Sequence, residues 1–332
     1  MPLPVPFTSD LKVIVAAGGD AGRKGAVSAR EVPLHGKAFL RLRDRLVIEY
    51  VLDFLRDSGL RRVWIIAKEE AMARLPPRHV FTPVPERPEA TFLANLIAGC
   101  EAAAPAPDEP VLIVFGDHPL NTPRALHLFL ARCAPRLSKA DFFHALSLQD
   151  AYRDFGQWFR RTSVHMREMR GRASGLSLAV PSRLHGVSKL QALYTVRKLE
   201  RSASFFRLVM HLWQWLGWDA IGSTRDSLLM LAAKEMEKGA RHTGWRADIC
   251  RRWEARLSNV LPVEKMQHYA ARVLEAERGV CFVPIPHGGL AIDVDFAEEL
   301  QLLEQHWDAI AAIAARQDAS LAQHVCAPAI SA

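Results

Sequence analysis

The chain has 332 residues, 49% of them hydrophobic and 24% charged, with a formal net charge of +7. That composition excludes a disordered chain and is enough for one large α/β domain with insertions or for two ordinary domains. The basic balance favours an anionic partner without choosing among a nucleotide, a phosphorylated metabolite, an anionic lipid and a nucleic acid. No run of five like charges forms a nucleic-acid arm, so nucleic acid is not expected as a partner. The five cysteines, Cys100, Cys133, Cys250, Cys281 and Cys326, are far apart and lack any CxxC pair. This spacing argues against a disulfide framework or a zinc site and fits a reducing compartment, so a cytoplasmic location is expected. Met1 to Asp10 is proline-rich and does not read as a secretory leader, and no apolar stretch approaches the ~18 residues of a membrane span.

In chain order, Leu11 to Ala17 is an apolar run that ends at Gly18-Gly19 and predicts a buried strand running into a loop. Val47 to Asp57 has helical periodicity and stops before Gly59. Strands are predicted at Arg62 to Ala67, more weakly at His79 to Val84, and then at Val111 to Phe115 and Asp141 to Leu148. A helix is expected over Ala90 to Ala103. Another begins at Thr122, with Pro123 at its first position. Strands alternating with helices predict βαβ units and a mainly parallel, Rossmann-like sheet whose ligands lie beyond the carboxyl ends of the strands. Gly18-Gly19 and Gly116-Asp117 are both expected there, facing one cleft.

The second half changes character. Leu184 to Arg278 reads as almost wholly helical, Val280 to Pro284 as a returning strand, and a closing helix is expected near Phe296. This divides the chain into a nucleotide-binding α/β core over 1–183 and a helical insertion over 184–279. A return strand and closing helix follow over 280–316, with a frayed tail over 317–332. Within the insertion, 190–218 mixes basic residues with Phe, Leu and Trp. Contact with a membrane surface is one reading of it, and packing on the sheet or on a second subunit, as in a homodimer, is the favoured one. Arg197-Lys198 and Arg160-Arg161 are candidate contacts for an anionic acceptor.

Ala16 to Gly25 is a glycine-rich loop with Arg23 and Lys24. Glycines let the backbone approach phosphates, and successive N–H groups cradle an anion. It is not a Walker A loop, because no Ser or Thr follows Lys24, and it does not open directly into a helix as a dinucleotide fingerprint must.

Val13 to Arg23 resembles the opening signature of the MobA-like nucleotidyltransferases, in which a strand leads to LAGG-x-G-x-R and then PK-x-L. Ala16 to Gly19 matches the LAGG, Arg23 the arginine and Lys37 the lysine, while Gly36 stands in place of the proline. VLIVFGDHPLNT, from Val111 to Thr122, resembles the family's metal-aspartate segment. IDVDFAEEL, from Ile292 to Leu300, resembles its late D-x-D segment. The resemblance implies a nucleotide-diphospho-sugar transferase (GT-A-like) fold. It also implies transfer of a nucleoside monophosphate unit from a triphosphate to a phosphorylated acceptor, with Mg2+ as cofactor. It assigns Asp117, with Asp293 or Asp295, to the metal, and Arg23 and Lys37 to the phosphates. Ala16, Gly18, Gly19 and Asn95 face the nucleotide in the same reading. His118 reads as a bystander. Two alternatives remain at this level, a nucleotide-sugar glycosyltransferase using Asp293-Val294-Asp295 and a non-catalytic binding or scaffold protein of the same fold.

Overall fold

The computed structural model describes residues 3–18, 36–87, 90–159, 163–186, 188–192, 245–257, 261–295 and 297–322, with scattered positions between 225 and 240. Its centre is β1 (Lys12–Ala16), a five-residue strand with every position buried. β1 lies parallel to β4 (Arg62–Ala67) on one side and to β6 (Val111–Phe115) on the other, with Val13 level with Val63 and Leu112. A strand enclosed in this way is apolar on both faces, which is why KVIVA reads as a continuous run and not as an alternation.

Two short strands, β2 (Arg41–Leu42) and β3 (Arg45–Leu46), form a separate hairpin. The main sheet also takes in β5 (Thr82–Pro85), β7 (Phe142–Leu148), β9 (Arg170–Ala179) and β10 (Val280–Ile285), in the order β10-β7-β9-β6-β1-β4-β5. β8 (Val164–His165) pairs with β9. β9 is antiparallel to both β6 and β7, and the other long pairings are parallel. The carboxyl ends of β1, β4, β5, β6, β7 and β10 therefore share one edge of the sheet.

Helix α1 (Val47–Asp57) occupies the range the periodicity predicts. The Glu49 carboxylate reaches back to the Leu46 N–H at 2.9 Å, which satisfies one of the open amides of its first turn. A one-turn helix, α2 (Glu69–Met72), follows β4. α3 (Phe92–Ala103) starts two residues later than predicted, because the Thr91 hydroxyl accepts from the Ala94 N–H and serves as its cap. α4 (Pro123–Cys133) has Pro123 in its first turn, as expected. Strand β5 starts later than the expected His79, since the Pro76-Pro77 turn precedes it, and it carries Pro83 and Pro85 because it lies at the sheet edge. The ten-residue β9 was not expected from the sequence. Its Gly171, Gly175 and two arginines weaken the strand pattern, and pairing on both sides overrides it.

A five-residue helix, α5 (Gln149–Arg153), follows β7 directly. The described residues after Gly186 and before β10 are helical where they are regular, notably α6 (Trp245–Leu257) and α7 (Val263–Leu274). Residues 193–218 of the 190–218 segment, and Arg160, Arg161, Arg197 and Lys198, lie outside the described residues. No described helix is long and apolar enough to cross a membrane.

Both ends of this helical stretch are held at one place. Leu184 bridges Ala276, and the Gly186 N–H donates to the Leu274 carbonyl at 2.8 Å. Fully buried Asp141 clamps the neighbouring chain. Its carboxylate accepts from the Arg278 N–H at 2.5 Å, its own N–H donates to Gly279 O, and its carbonyl accepts from Val180 N–H.

The closing helix, α8 (Ala297–Ser320), extends past the expected end of order at residue 316. Gln317 and Leu321 are buried, so 317–321 is packed and not frayed. Gln317 accepts from the Gly288 N–H at 2.7 Å and donates to Ala151 O and Asp154 Oδ2 at 2.8 Å each. His287, also fully buried, donates from Nε2 to the Ala314 carbonyl at 3.1 Å. Burial lowers the His287 pKa to about 4. Between pH 6.5 and 4 the unfolded chain therefore binds a proton that the folded chain refuses. The stabilisation is complete above pH 6.5 and is lost as the pH falls towards 4, by about 3 kcal/mol. Urea denaturation at pH 7, 5 and 4 checks this. His287→Gln should lose clearly less stability over that range than the natural protein, and equal losses would place the acid sensitivity elsewhere.

Candidate functional site

Three segments converge at the carboxyl edge of β1 and β6. The Gly116 N–H donates to the Ala16 carbonyl at 2.9 Å. A Cβ on Gly116 would stand 3.1 Å from the Ala17 Cβ and 3.2 Å from the Ala38 Cβ. Glycine here lets the ends of both strands and the turn carrying Lys37 close on one another. Gly36 precedes that turn with φ +80 and ψ 163, a conformation essentially confined to glycine. Proline, with φ fixed near −65°, cannot adopt it. The difference from the usual PK-x-L signature is thus a different backbone route to the same lysine.

Residues 292–295 bring the late aspartates to this place. They belong to no regular element, lying between a short 3-10 turn (Gly288–Ala291) and α8. The Val294 N–H donates to the Asp117 carbonyl at 3.1 Å, which sets Asp293 and Asp295 beside the end of β6. The Lys37 ammonium pairs with Asp295 Oδ1. The Asp295 N–H donates to the Glu299 carboxylate at 2.9 Å, so Asp295 also belongs to the start of α8.

Asp117 lies deep in this cleft with 23% of its side-chain surface still open. Burial raises its pKa. His118 opposes the shift, Asp293 adds to it, Lys37 opposes it and Asp295 adds to it. Its Oδ1 is buried and has no hydrogen-bond partner. Asp117, Lys37, Asp293 and Asp295 are therefore gathered in one place. No group of three or more His, Cys, Asp or Glu among the described residues forms a metal cage by itself.

Ala16 and Gly18 stand at the end of β1, where the Ala17 and Gly18 amides share the Ile66 carbonyl at 3.0 and 2.9 Å. Gly19 and Arg23 lie outside the described residues. Asn95 on α3 is buried, and its side chain accepts from the Arg87 N–H at 3.0 Å, with its amide 3.4 Å from Glu86 Oε1. It fixes the loop after β5. Glu86 itself was missed by the sequence reading. A Cβ on Gly18 would come within 2.7 Å of the Glu86 carboxylate, so this acid lies against Gly18. Its only sequence signal is its place just past a strand end.

His118, read above as a bystander, is instead a wall of the cleft. Its Nδ1–H donates to the Leu290 carbonyl at 3.0 Å, and Nε2 stands 3.7 Å from Asp117 Oδ1. A Cβ on Gly175 of β9 would meet the His118 ring at 2.7 Å, so that glycine allows the ring to lie flat on the strand. Gly175→Ala is expected to destabilise the protein by about 1–3 kcal/mol through overpacking. His118→Ala in the same chain should recover part of this loss in urea denaturation, since the two effects share one contact.

Residues 13–150 match the model of the MobA-like NTP transferase domain. No curated protein sequence matches the chain. Among solved structures, a hypothetical transferase from Thermus thermophilus is similar in fold, with a TM-score of 0.59 and 21% identity over 88% of this chain and 99% of that one. A 4-diphosphocytidyl-2C-methyl-D-erythritol synthase from Anaerococcus prevotii aligns with a TM-score of 0.42 and 10% identity, over 90% and 99% of the two chains. The matched segment runs from β1 through the first residues of α5 and holds Lys37 and Asp117, while Asp293 and Asp295 lie beyond it. The likeness to the MobA-like NTP transferase domain thus covers residues 13–150, the first part of the sheet with Lys37 and Asp117.

Proposed function

We propose that this protein is a magnesium-dependent nucleotidyltransferase that joins a nucleoside monophosphate unit from a triphosphate to a phosphorylated small molecule, with release of pyrophosphate. The observation that carries the reading is Asp117, whose buried Oδ1 lacks a donor while two more carboxylates and Lys37 stand around it. A buried carboxylate without a hydrogen bond is costly, and neighbouring acids add to that cost. A divalent cation relieves both, so the residues fit one. Magnesium needs only one or two protein carboxylates when substrate phosphates complete its shell, which suits a site that is no cage by itself. Asp117 would hold the ion with Asp293 or Asp295, and the bound ion would neutralise charge on the phosphates.

An attacking phosphate is already a nucleophile, so the protein needs no strong general base. Its task is alignment and charge neutralisation. The backbone at Ala16, Gly18 and Gly19 faces the nucleotide in this reading, with Asn95 holding the 86–87 loop against it. Lys37 would pair with the α-phosphate or the attacking phosphate, and Arg23 would hold the leaving pyrophosphate. The cytoplasmic location suggested by the scattered cysteines belongs to the same reading.

Calorimetry with ATP, GTP, CTP and UTP, with and without Mg2+, tests this without knowledge of the acceptor. One triphosphate should bind at micromolar strength only with Mg2+, and Asp117→Asn should abolish that binding. Binding indifferent to both metal and Asp117 would sink the assignment. Once an acceptor is in hand, Lys37→Gln should lower turnover about 10²–10³-fold, the scale of losing one charge-stabilising donor.

A further inference from the structure

A second cavity, of about 260 Å3, lies at the same sheet edge but off the nucleotide site. Gln149 enters it from the carboxyl end of β7, His165 and Arg170 from the β8–β9 hairpin, and Arg251 and Glu254 from α6. Only Gln149 of its lining belongs to the segment matched by the family model. The pocket is thus a product of the rest of the chain. It is smaller than the 300–1,000 Å3 that surrounds drug-sized ligands, and suits a small metabolite.

β9 measures its separation from Asp117. Gly175 touches His118, and Arg170 lies five residues back along the strand. At ~3.3 Å per residue, Arg170 and Gly175 stand roughly 16 Å apart along the strand. One small ligand cannot fill both sites.

The charges define what the pocket takes. Three arginines, Arg153, Arg170 and Arg251, line it against two carboxylates, Glu237 and Glu254. Both carboxylates are engaged from within. Glu237 accepts from the Ser163 N–H at 2.9 Å and lies 3.0 Å from His165 Nε2, and Glu254 pairs with Arg170 at 2.9 Å. Arg153 and Arg251 are paired outward, with Asp150 and Asp248, whose side chains are 87% and 61% exposed, and Arg251 also donates to the Ala240 carbonyl at 3.1 Å. Solvated pairs of this kind contribute little and exchange readily for a better-placed anion. Two guanidinium groups are thus available at the mouth. Beneath them lies a buried floor of Ser163, His165 and Glu237, suited to hydroxyl groups.

We propose that this cavity binds a small phosphomonoester that carries hydroxyl groups, at a site separate from the triphosphate site. Arg153 and Arg251 grip the phosphate, for which the guanidinium fork is matched in shape and charge. The polar floor receives the hydroxyls. The pocket stands independently of the nucleotidyltransferase reading. Within that reading its occupant is either an effector that is not consumed, or an acceptor that leaves this pocket for the triphosphate site before its phosphate attacks.

The test uses the full chain and calorimetry with inorganic phosphate, glycerol 3-phosphate and glucose 6-phosphate, with glycerol and glucose as uncharged controls. The phosphorylated probes should bind and the controls should not. Arg153→Gln and Arg251→Gln should each weaken binding about tenfold, the scale of losing one charge-assisted contact. Both side chains are more than half exposed, so the variants should fold, and an unchanged melting temperature checks this. Triphosphate affinity should stay unchanged in both. Absence of phosphate binding at millimolar concentration, or full affinity in both variants, overturns the proposal. Adding triphosphate and Mg2+ to the bound probe separates the two sources, since an acceptor is consumed and an effector is not. A natural protein that binds the phosphomonoester but no triphosphate would overturn the proposed function and leave the pocket standing.

Discussion

The site depends on one main-chain hydrogen bond, from the Val294 N–H to the Asp117 carbonyl. Asp117 arrives just past β6 of the central sheet, in the segment matched by the family model. Asp293 and Asp295 arrive from a stretch without regular structure, after the helical part of the chain has gone out and come back. Ile292 and Val294 anchor that stretch by burying in the apolar cluster beneath α8. The bond to Asp117 sets its register, and because it joins backbone to backbone it uses none of the three carboxylates. The Lys37–Asp295 pair then pulls the turn after Gly36 onto the same spot.

Around this bond the sheet solves a packing problem with glycine. Gly116 allows the ends of β1 and β6 and the Lys37 turn to meet, Gly175 allows His118 to lie against β9, and Gly18 leaves room for the Glu86 carboxylate. Each places a polar side chain or a turn where a methyl group would stand. Together they make a cleft with a charged floor and tight walls, the arrangement in which charge is stabilised without the protein reorganising.

Much of the fold was legible in the sequence. Strands buried on both faces announce themselves as unbroken apolar runs, and α1, β4 and β6 fall where those runs and the helical periodicity put them. Asp117 follows a strand end, where a short signature marks it, while the signatures of Lys37, Asp293 and Asp295 fall in turns that only the closed chain brings to the same cleft. β9 was not, because its stability comes from two long-range neighbours and not from its own residues. The buried end of α8 was misread for a similar reason, since Gln317 is an unremarkable polar residue until Gly288 and Ala151 come to meet it. Glu86 and His118 are single residues without spacing or company, and only the closing of the chain gives them a role. His118 moved from bystander to wall once its ring was seen between the Leu290 carbonyl and Gly175.

The way the helical stretch is tethered bears on how such a chain can diversify. Its two ends, Leu184 and Ala276, lie side by side, and Asp141 grips the chain on both flanks. For a tethered excursion of this kind the entropic cost rises only slowly with length, so residues can be added or removed between the anchors with little penalty to the sheet. The core and the excursion are therefore free to change at different rates. The acidic cleft around Asp117 is held by the parallel strands, while one wall of the arginine-lined cavity is drawn from the exchangeable part. An architecture of this kind lets that wall be rewritten as one cassette, with the cleft at the sheet edge left as it was.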